Sequence, residues 1–268
     1  MRAHSGTAIF RVLGRRMLAP YHRPAGPRGR RFPAVLFLHG FPGLEKSVDV
    51  QRALMERGVA SVAPCFLGAW GSGGEYRFTT LVAQARAALR AAKRLDFVDP
   101  GRVAVYGFSM GGWTALNLAA AEPSLRAVLA VAPCGGPEIL GPGTRRFLAR
   151  FSRPLNAPKT DVLLADFRAA LRRFDPAKSV ARVEPPLLLA HGDRDETIPL
   201  AVSRRLASLA PRGTRLAVVE GGDHGLLERR RTLAGLAAVW LASRLRGQRA
   251  PIGRKDLRKR TKSSRNSR

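Results

Sequence analysis

Cysteine is scarce in this chain, histidine nearly so, and acidic residues are outnumbered more than two to one by basic ones. The 268 residues hold 2 Cys, 5 His and 19 Asp+Glu against 47 Lys+Arg, a formal net charge of +28. With so few cysteines and histidines, no cluster has the spacing of a zinc or other metal site, and neither a metal nor an organic cofactor is expected. No apolar run approaches the ~20 residues of a membrane span. Arg2, Arg11, Arg15 and Arg16 interrupt every apolar stretch near the start. That reads against a secretory signal, so the expected location is cytoplasmic.

The charge itself is unevenly placed. Residues 244–268 carry eleven Lys/Arg and one acid, Asp256, and residues 2–31 carry eight Arg and no acid. The basicity is concentrated at the two ends. Residues 247–268 have almost no apolar side chain beyond Leu257 and no aromatic to stack on bases. They read as a disordered basic tail capable of non-specific contact with an anionic partner. The remaining 1–246, with 45% hydrophobic residues over the whole chain, suffice for one large domain.

Within that span short apolar runs alternate with longer helical ones. Residues 8–12 and 16–19 flank Leu13-Gly14-Arg15 and read as an opening hairpin. Buried-type strands are expected at 34–38 (AVLFL), 59–63, 103–106, 127–132, 187–190 and 216–219. Helices are expected at 47–57, 80–95, 111–121, 200–209 and 226–245. Such alternation requires right-handed crossovers and a mostly parallel sheet covered on both faces, an α/β fold. One segment, 134–186, breaks the rhythm with about fifty residues between two strands. It holds amphipathic stretches at 145–151 and 162–174, and its length marks it as a lid insertion that governs specificity.

Four post-strand loops carry the chemistry. Gly107-Phe108-Ser109-Met110-Gly111 lies directly after the strand VAVY and before an Ala-rich helix. In that context the serine occupies a sharp turn that lifts its Oγ above the sheet, and Ser109 is the expected nucleophile. The helix after it aims backbone N–H groups at the reacting centre. His39-Gly40-Phe41-Pro42-Gly43 follows the strand AVLFL. Because Pro42 has no N–H, Phe41 and Met110 are the expected oxyanion donors, and His39, which precedes the turn, has a structural role. Asp193, Asp195 and Glu196 follow the strand LLLA and compete as the acid that orients a base; spacing does not choose among them. His224, in GGDHG, is alone among the histidines in lying downstream of both serine and acid, and is the expected base.

These motifs, HGFPG, GFSMGG, HGDRDETIP and GGDHG in that order, resemble those of the α/β-hydrolase superfamily. Within it the chain is similar to prolyl-oligopeptidase catalytic domains and dienelactone-hydrolase-like esterases, over about residues 7–245. The resemblance implies eight strands in the order 1-2-4-3-5-6-7-8. It selects Asp195, through the pattern H-G-x-x-D-x-x-x-P, as the acid of the triad. It also sets the Gly-rich loop 67–75 at the border of the pocket. In that order two strands separate Cys65 from Cys134, which puts them roughly 14 Å apart, too far for a disulfide. Both are expected to be reduced, as in a reducing compartment. The chain has no room for the oligopeptidases' propeller, and it has a serine where dienelactone hydrolases use cysteine. The expected function is therefore a serine hydrolase acting on carboxylic esters, with short peptides or acyl-amino acids as the alternative substrate class. A non-hydrolytic binding protein on the same fold is the competitor from another class. Trp70, Trp113, Phe147 and Phe151, with Phe78 and Phe174, are expected to line an apolar acyl pocket.

Overall fold

The computed structural model describes residues 2–246, so the expected basic tail lies outside the described residues. The chain opens with the hairpin β1 (His4–Val12) and β2 (Arg15–Arg23). Its turn is two residues, Leu13 and Gly14, with φ of 47° and 74°. Two left-handed residues match the twist of the flanking strands, so Arg15 joins β2 instead of the turn.

The remaining elements alternate: β3 (Phe32–Leu38), α1 (Val48–Met55), β4 (Ala60–Val62), α2 (Leu81–Ala92), β5 (Val98–Phe108), α3 (Met110–Ala119) and β6 (Val128–Val131). The insertion then supplies α4 (Thr144–Phe151), α5 (Thr160–Arg173) and α6 (Pro176–Ser179), and the chain closes with β7 (Leu187–Gly192), α7 (Leu200–Leu209), β8 (Arg215–Val219) and α8 (Arg230–Leu245). The expected last helix starts four residues late. Leu226 is left-handed (φ 53°), and Leu227–Arg229 form a 3-10 turn ahead of α8.

Eight strands form one sheet in the order β1-β2-β4-β3-β5-β6-β7-β8. The two pairings of β2 are antiparallel and the others parallel. The strand sequence explains why both faces are covered. In β3, Ala34, Leu36 and Leu38 enter one core with Leu81 and Leu89 of α2, Trp113 and Leu116 of α3, and Leu206 of α7. Val35 and Phe37 enter the other, with Val50 and Leu54 of α1 and Leu233 and Leu241 of α8. Helix α3 is buried along its whole length, since the insertion covers the side that the sheet leaves open. Cys65 follows β4 and Cys134 follows β6, with β3 and β5 between them, and both are free and buried.

The insertion is fixed to the body by polar contacts as well as by apolar packing. Asp166 of α5 accepts the Phe78 N–H (2.6 Å) and the Thr79 hydroxyl (2.5 Å). Asn156 takes the Tyr76 N–H on its carbonyl (2.7 Å) and donates its side-chain amide to the Gly74 carbonyl (2.8 Å). Asn117 of α3 donates to the Phe174 carbonyl (3.0 Å). Removing the Asp166 carboxylate strands buried donors, which costs about 1–3 kcal/mol. Asp166→Ala is expected to lower the urea midpoint accordingly and to admit protease first within 134–186. An unchanged midpoint and cleavage pattern would show these contacts to be inert.

Candidate active site

Ser109 sits where β5 stops and α3 starts, with φ 54° and ψ −118°. A non-glycine residue in that region stores about 1–3 kcal/mol of strain, sustained only where the surroundings over-determine it. The surroundings are crowded. A Cβ on Gly107 would overlap the Gly111 carbonyl, and one on Gly111 would overlap the Leu38 carbonyl at the end of β3. Both glycines flanking the serine are therefore imposed by backbone packing. The Ser109 N–H donates to Val131 of β6 (2.8 Å) and its carbonyl accepts the Trp113 N–H (3.0 Å).

His224 lies on the loop after β8. Its Nε2 is 3.0 Å from Ser109 Oγ and its Nδ1 is 2.7 Å from Asp195 Oδ2. With Nδ1–H donating to the carboxylate, Nε2 is left to accept from the serine hydroxyl. The Phe108 ring packs 5.1 Å from the imidazole.

Asp195 is held by several donors. Its Oδ1 accepts the N–H groups of Thr197 (2.9 Å) and Ile198 (2.8 Å). Buried His191 takes the Ser203 hydroxyl on Nδ1 (2.7 Å), and its Nε2–H is shared between the Ile198 carbonyl (2.8 Å) and Asp195 Oδ2 (3.1 Å). Burial by itself raises a carboxyl, but hydrogen bonds from His191, His224 and Ile198 outweigh it and hold Asp195 well below the usual carboxylate range. The other two acids are elsewhere. Asp193 accepts the Gly221 N–H (2.7 Å), bracing the loop that carries His224, and Glu196 is exposed.

The loop after β3 passes against the serine. A Cβ on Gly40 would stand 3.0 Å from Ser109 Cβ. Phe41 and Met110 both line the same cavity as Ser109 and His224. Met110 is the first residue of α3, so its N–H has no acceptor within the helix. His39 is buried and braces this turn: its Nδ1–H donates to the Gly40 carbonyl (2.7 Å) and its Nε2 accepts the Phe66 N–H (3.1 Å). Burial first, and then the Lys46 ammonium, lower its pKa to about 3 against the pull of the Gly40 bond.

Arg230, at the start of α8, ties the loops together. Its Nε donates to Asp49 (2.9 Å), its Nη2 to Glu45 (3.3 Å) and to Asp49, and its Nη1 to the Gly225 carbonyl (3.3 Å). One guanidinium thus links the residue after His224 to the segment that continues from the Phe41 turn.

The cavity above Ser109 has a volume of about 670 Å³. Phe147, Leu148 and Phe151 of α4 and Phe167 of α5 form its outer wall, and Phe41, Phe78 and Phe108 the inner one. Phe147 and Phe151 are where the sequence placed them. Trp70 and Trp113 are not in the lining, which corrects the expectation. Trp70 donates its indole N–H to the Pro42 carbonyl (2.8 Å) and props the loop from outside. Trp113 is wholly buried, edge-on to Phe174 at 5.8 Å in the core beneath the insertion. Phe108 and Phe167 were not foreseen. Phe167 shares the helical spacing of its core neighbours Leu163, Ala170 and Leu171, so periodicity alone makes it a core residue. Cys134 also lines the cavity; burial pushes its thiol up to about 12, against a hydrogen bond from Ser109. It stays protonated beside the hydroxyl at neutral pH. Among the described residues no group of three or more His, Cys, Asp or Glu is arranged to hold a metal ion.

A model of the alpha/beta hydrolase family matches residues 35–236. The chain is 29% identical to an uncharacterised protein of Mycobacterium tuberculosis over 194 residues, 72% of this chain and 63% of that protein. It therefore spans less than two thirds of that relative's length. It is also 29% identical to the esterase YjfP of Escherichia coli, with 68% of this chain and 76% of that protein covered. In fold it is similar to a 2,6-dihydroxy-pseudo-oxynicotine hydrolase, with a TM-score of 0.74 at 23% identity over 90% of this chain and 68% of that one.

The neutral, buried state of His39 has a consequence for stability. Its folded pKa is depressed, so the unfolded chain binds a proton that the folded one refuses as the pH falls from about 6.5 towards about 3. Stability is expected to be full above that window and to fall by about 2 kcal/mol between pH 7 and pH 5. Urea unfolding at the two pH values measures it. Equal stabilities would contradict a neutral His39.

Proposed function

The chain belongs to the alpha/beta hydrolase family, and we propose that it is a serine esterase cleaving carboxylic esters through Ser109, His224 and Asp195. The observation that carries this reading is the continuous chain of hydrogen bonds from Asp195 through His224 to Ser109, opening on an apolar cavity. Ser109 Oγ attacks the ester carbonyl as its proton passes to His224 Nε2, and Asp195 stabilises the imidazolium that forms. The N–H groups of Phe41 and Met110 receive the oxyanion; a single such donor is worth about 10²–10³ in rate. His224 then protonates the departing alcohol, and water repeats the sequence on the acyl-enzyme to release the acid.

Esters are favoured over peptides by the cavity lining. Among the described residues Glu45 is the cavity's one carboxylate, and it is already engaged by Arg230 and the Ser47 N–H. No free acid is left to hold a peptide's ammonium terminus. The resemblance to an esterase of Escherichia coli supports the same choice. The insertion, whose aromatic residues wall the cavity, acts as the lid that selects the acyl group. With both cysteines buried and unpaired, a reducing, cytoplasmic setting suits the protein.

Hydrolysis of p-nitrophenyl esters from acetate to decanoate tests the reading. The optimum is expected at chains longer than acetyl, and Ser109→Ala is expected to lower kcat by roughly 10⁴–10⁶. Equal turnover of aminoacyl p-nitroanilides would move the assignment to a peptidase, and no turnover of either class would favour a binding protein. Arg230→Ala is expected to lower kcat about tenfold with little change in KM, since the guanidinium aligns loops and meets no substrate. An unchanged kcat would show the loops to be aligned without it.

A further inference from the structure

A second cavity, of about 490 Å³, lies towards the amino ends of β3, β4 and β5, at the opposite end of the strands from Ser109. Four arginines from separate parts of the chain converge on it: Arg30 before β3, Arg57 after α1, Arg102 in β5 and Arg246 after α8. Between them its floor is apolar, made by Pro33, Val59, Val239, Ala242 and Leu245. Val239 is 56% exposed there, a branched apolar side chain left to water among guanidinium groups.

The charges are poorly compensated. Asp99 is committed to Arg102, with the carboxylate 2.6 Å from Nε. Arg57 donates one Nη1 bond to the Ala53 carbonyl (2.9 Å), and Arg30 lies 5.1 Å over the Phe32 ring. Among the described residues, no carboxylate pairs with Arg30, Arg57 or Arg246. Guanidinium groups gathered in this way repel one another, and an anion entering between them relieves that repulsion. Planar guanidiniums match phosphate oxygens in paired hydrogen bonds, and the apolar floor takes an attached hydrocarbon.

We propose that this cleft is a binding site for a phosphate ester carrying an apolar chain, separate from the esterase centre and independent of its chemistry. Such a ligand comes either as a dissolved amphiphile or as the headgroup and upper acyl segment of an anionic phospholipid. The full chain is titrated with dodecyl phosphate below its micellar concentration by calorimetry, and with vesicles of phosphatidylcholine with or without phosphatidylglycerol by sedimentation. Two double variants are compared, Arg57→Ala with Arg246→Ala in the cleft, and Arg204→Ala with Arg212→Ala on exposed positions elsewhere. Both remove the same charge, and thermal melting checks that both fold.

The expected result is that the cleft pair weakens binding at least tenfold in whichever arm binds, while the other pair changes it less than twofold. Binding in the dodecyl phosphate arm marks a dissolved ligand, and binding confined to phosphatidylglycerol vesicles marks a bilayer. Equal weakening by the two pairs would assign the anion to diffuse basicity and overturn the site. So would failure to bind either probe, or equal binding of vesicles without phosphatidylglycerol.

Discussion

The site depends on how closely the backbone of α3 approaches the end of β3. Gly111 lies so near the Leu38 carbonyl that no side chain fits between them, and Gly107 lies equally near the Gly111 carbonyl. That packing forces the serine between the glycines into a left-handed turn and drives its hydroxyl out of the sheet. It also brings the loop that follows Leu38 against Ser109, so that the proposed nucleophile and the proposed oxyanion donors are positioned by one contact. The strain at Ser109 is held by burial of the whole of α3, and that burial requires the insertion. The geometry at Ser109 and the covering of the core are thus parts of one packing problem.

The histidine side of the site is held differently, by polar groups. Asp195 is a buried carboxylate kept ionised by donors from His191, His224 and its own turn. Burying such a charge without those partners would cost several kcal/mol. His191 fixes the carboxylate, Asp193 braces the loop of His224, and Arg230 joins that loop to the segment beyond Phe41. The histidines of the two His-Gly turns, His39 and His191, act as buried struts inside the body, while His224 keeps one ring nitrogen turned to the cavity.

The strands and the post-strand loops were legible in the sequence because each rests on a local pattern, an apolar run followed by Gly-flanked polar residues, whereas the order of the strands came only from the resemblance to the α/β-hydrolase superfamily. The choice of Asp195 over Asp193 and Glu196 was not legible from spacing, since all three lie within four residues; what separates them is which side chain turns inward. The aromatic lining was legible only in part. Phe147 and Phe151 sit on an amphipathic helix with no strand to cover, so a pocket role follows from their context. Trp113 was misjudged because nearness to the serine in sequence does not survive one helical turn, which carries the ring into the core. Phe167 carries no signal apart from that of a core residue, and the arginines around the second cavity lie far apart in the chain, joined only by the fold.

The proposed chemistry stands or falls on whether Ser109 is an activated nucleophile. The most direct measurement is labelling of the intact protein with a fluorophosphonate, followed by mass spectrometry of its peptides. One adduct is expected, on Ser109, formed rapidly in the native chain and slowed by several orders of magnitude in His224→Ala. Absence of label, or label at another residue with Ser109 unmodified, would contradict it.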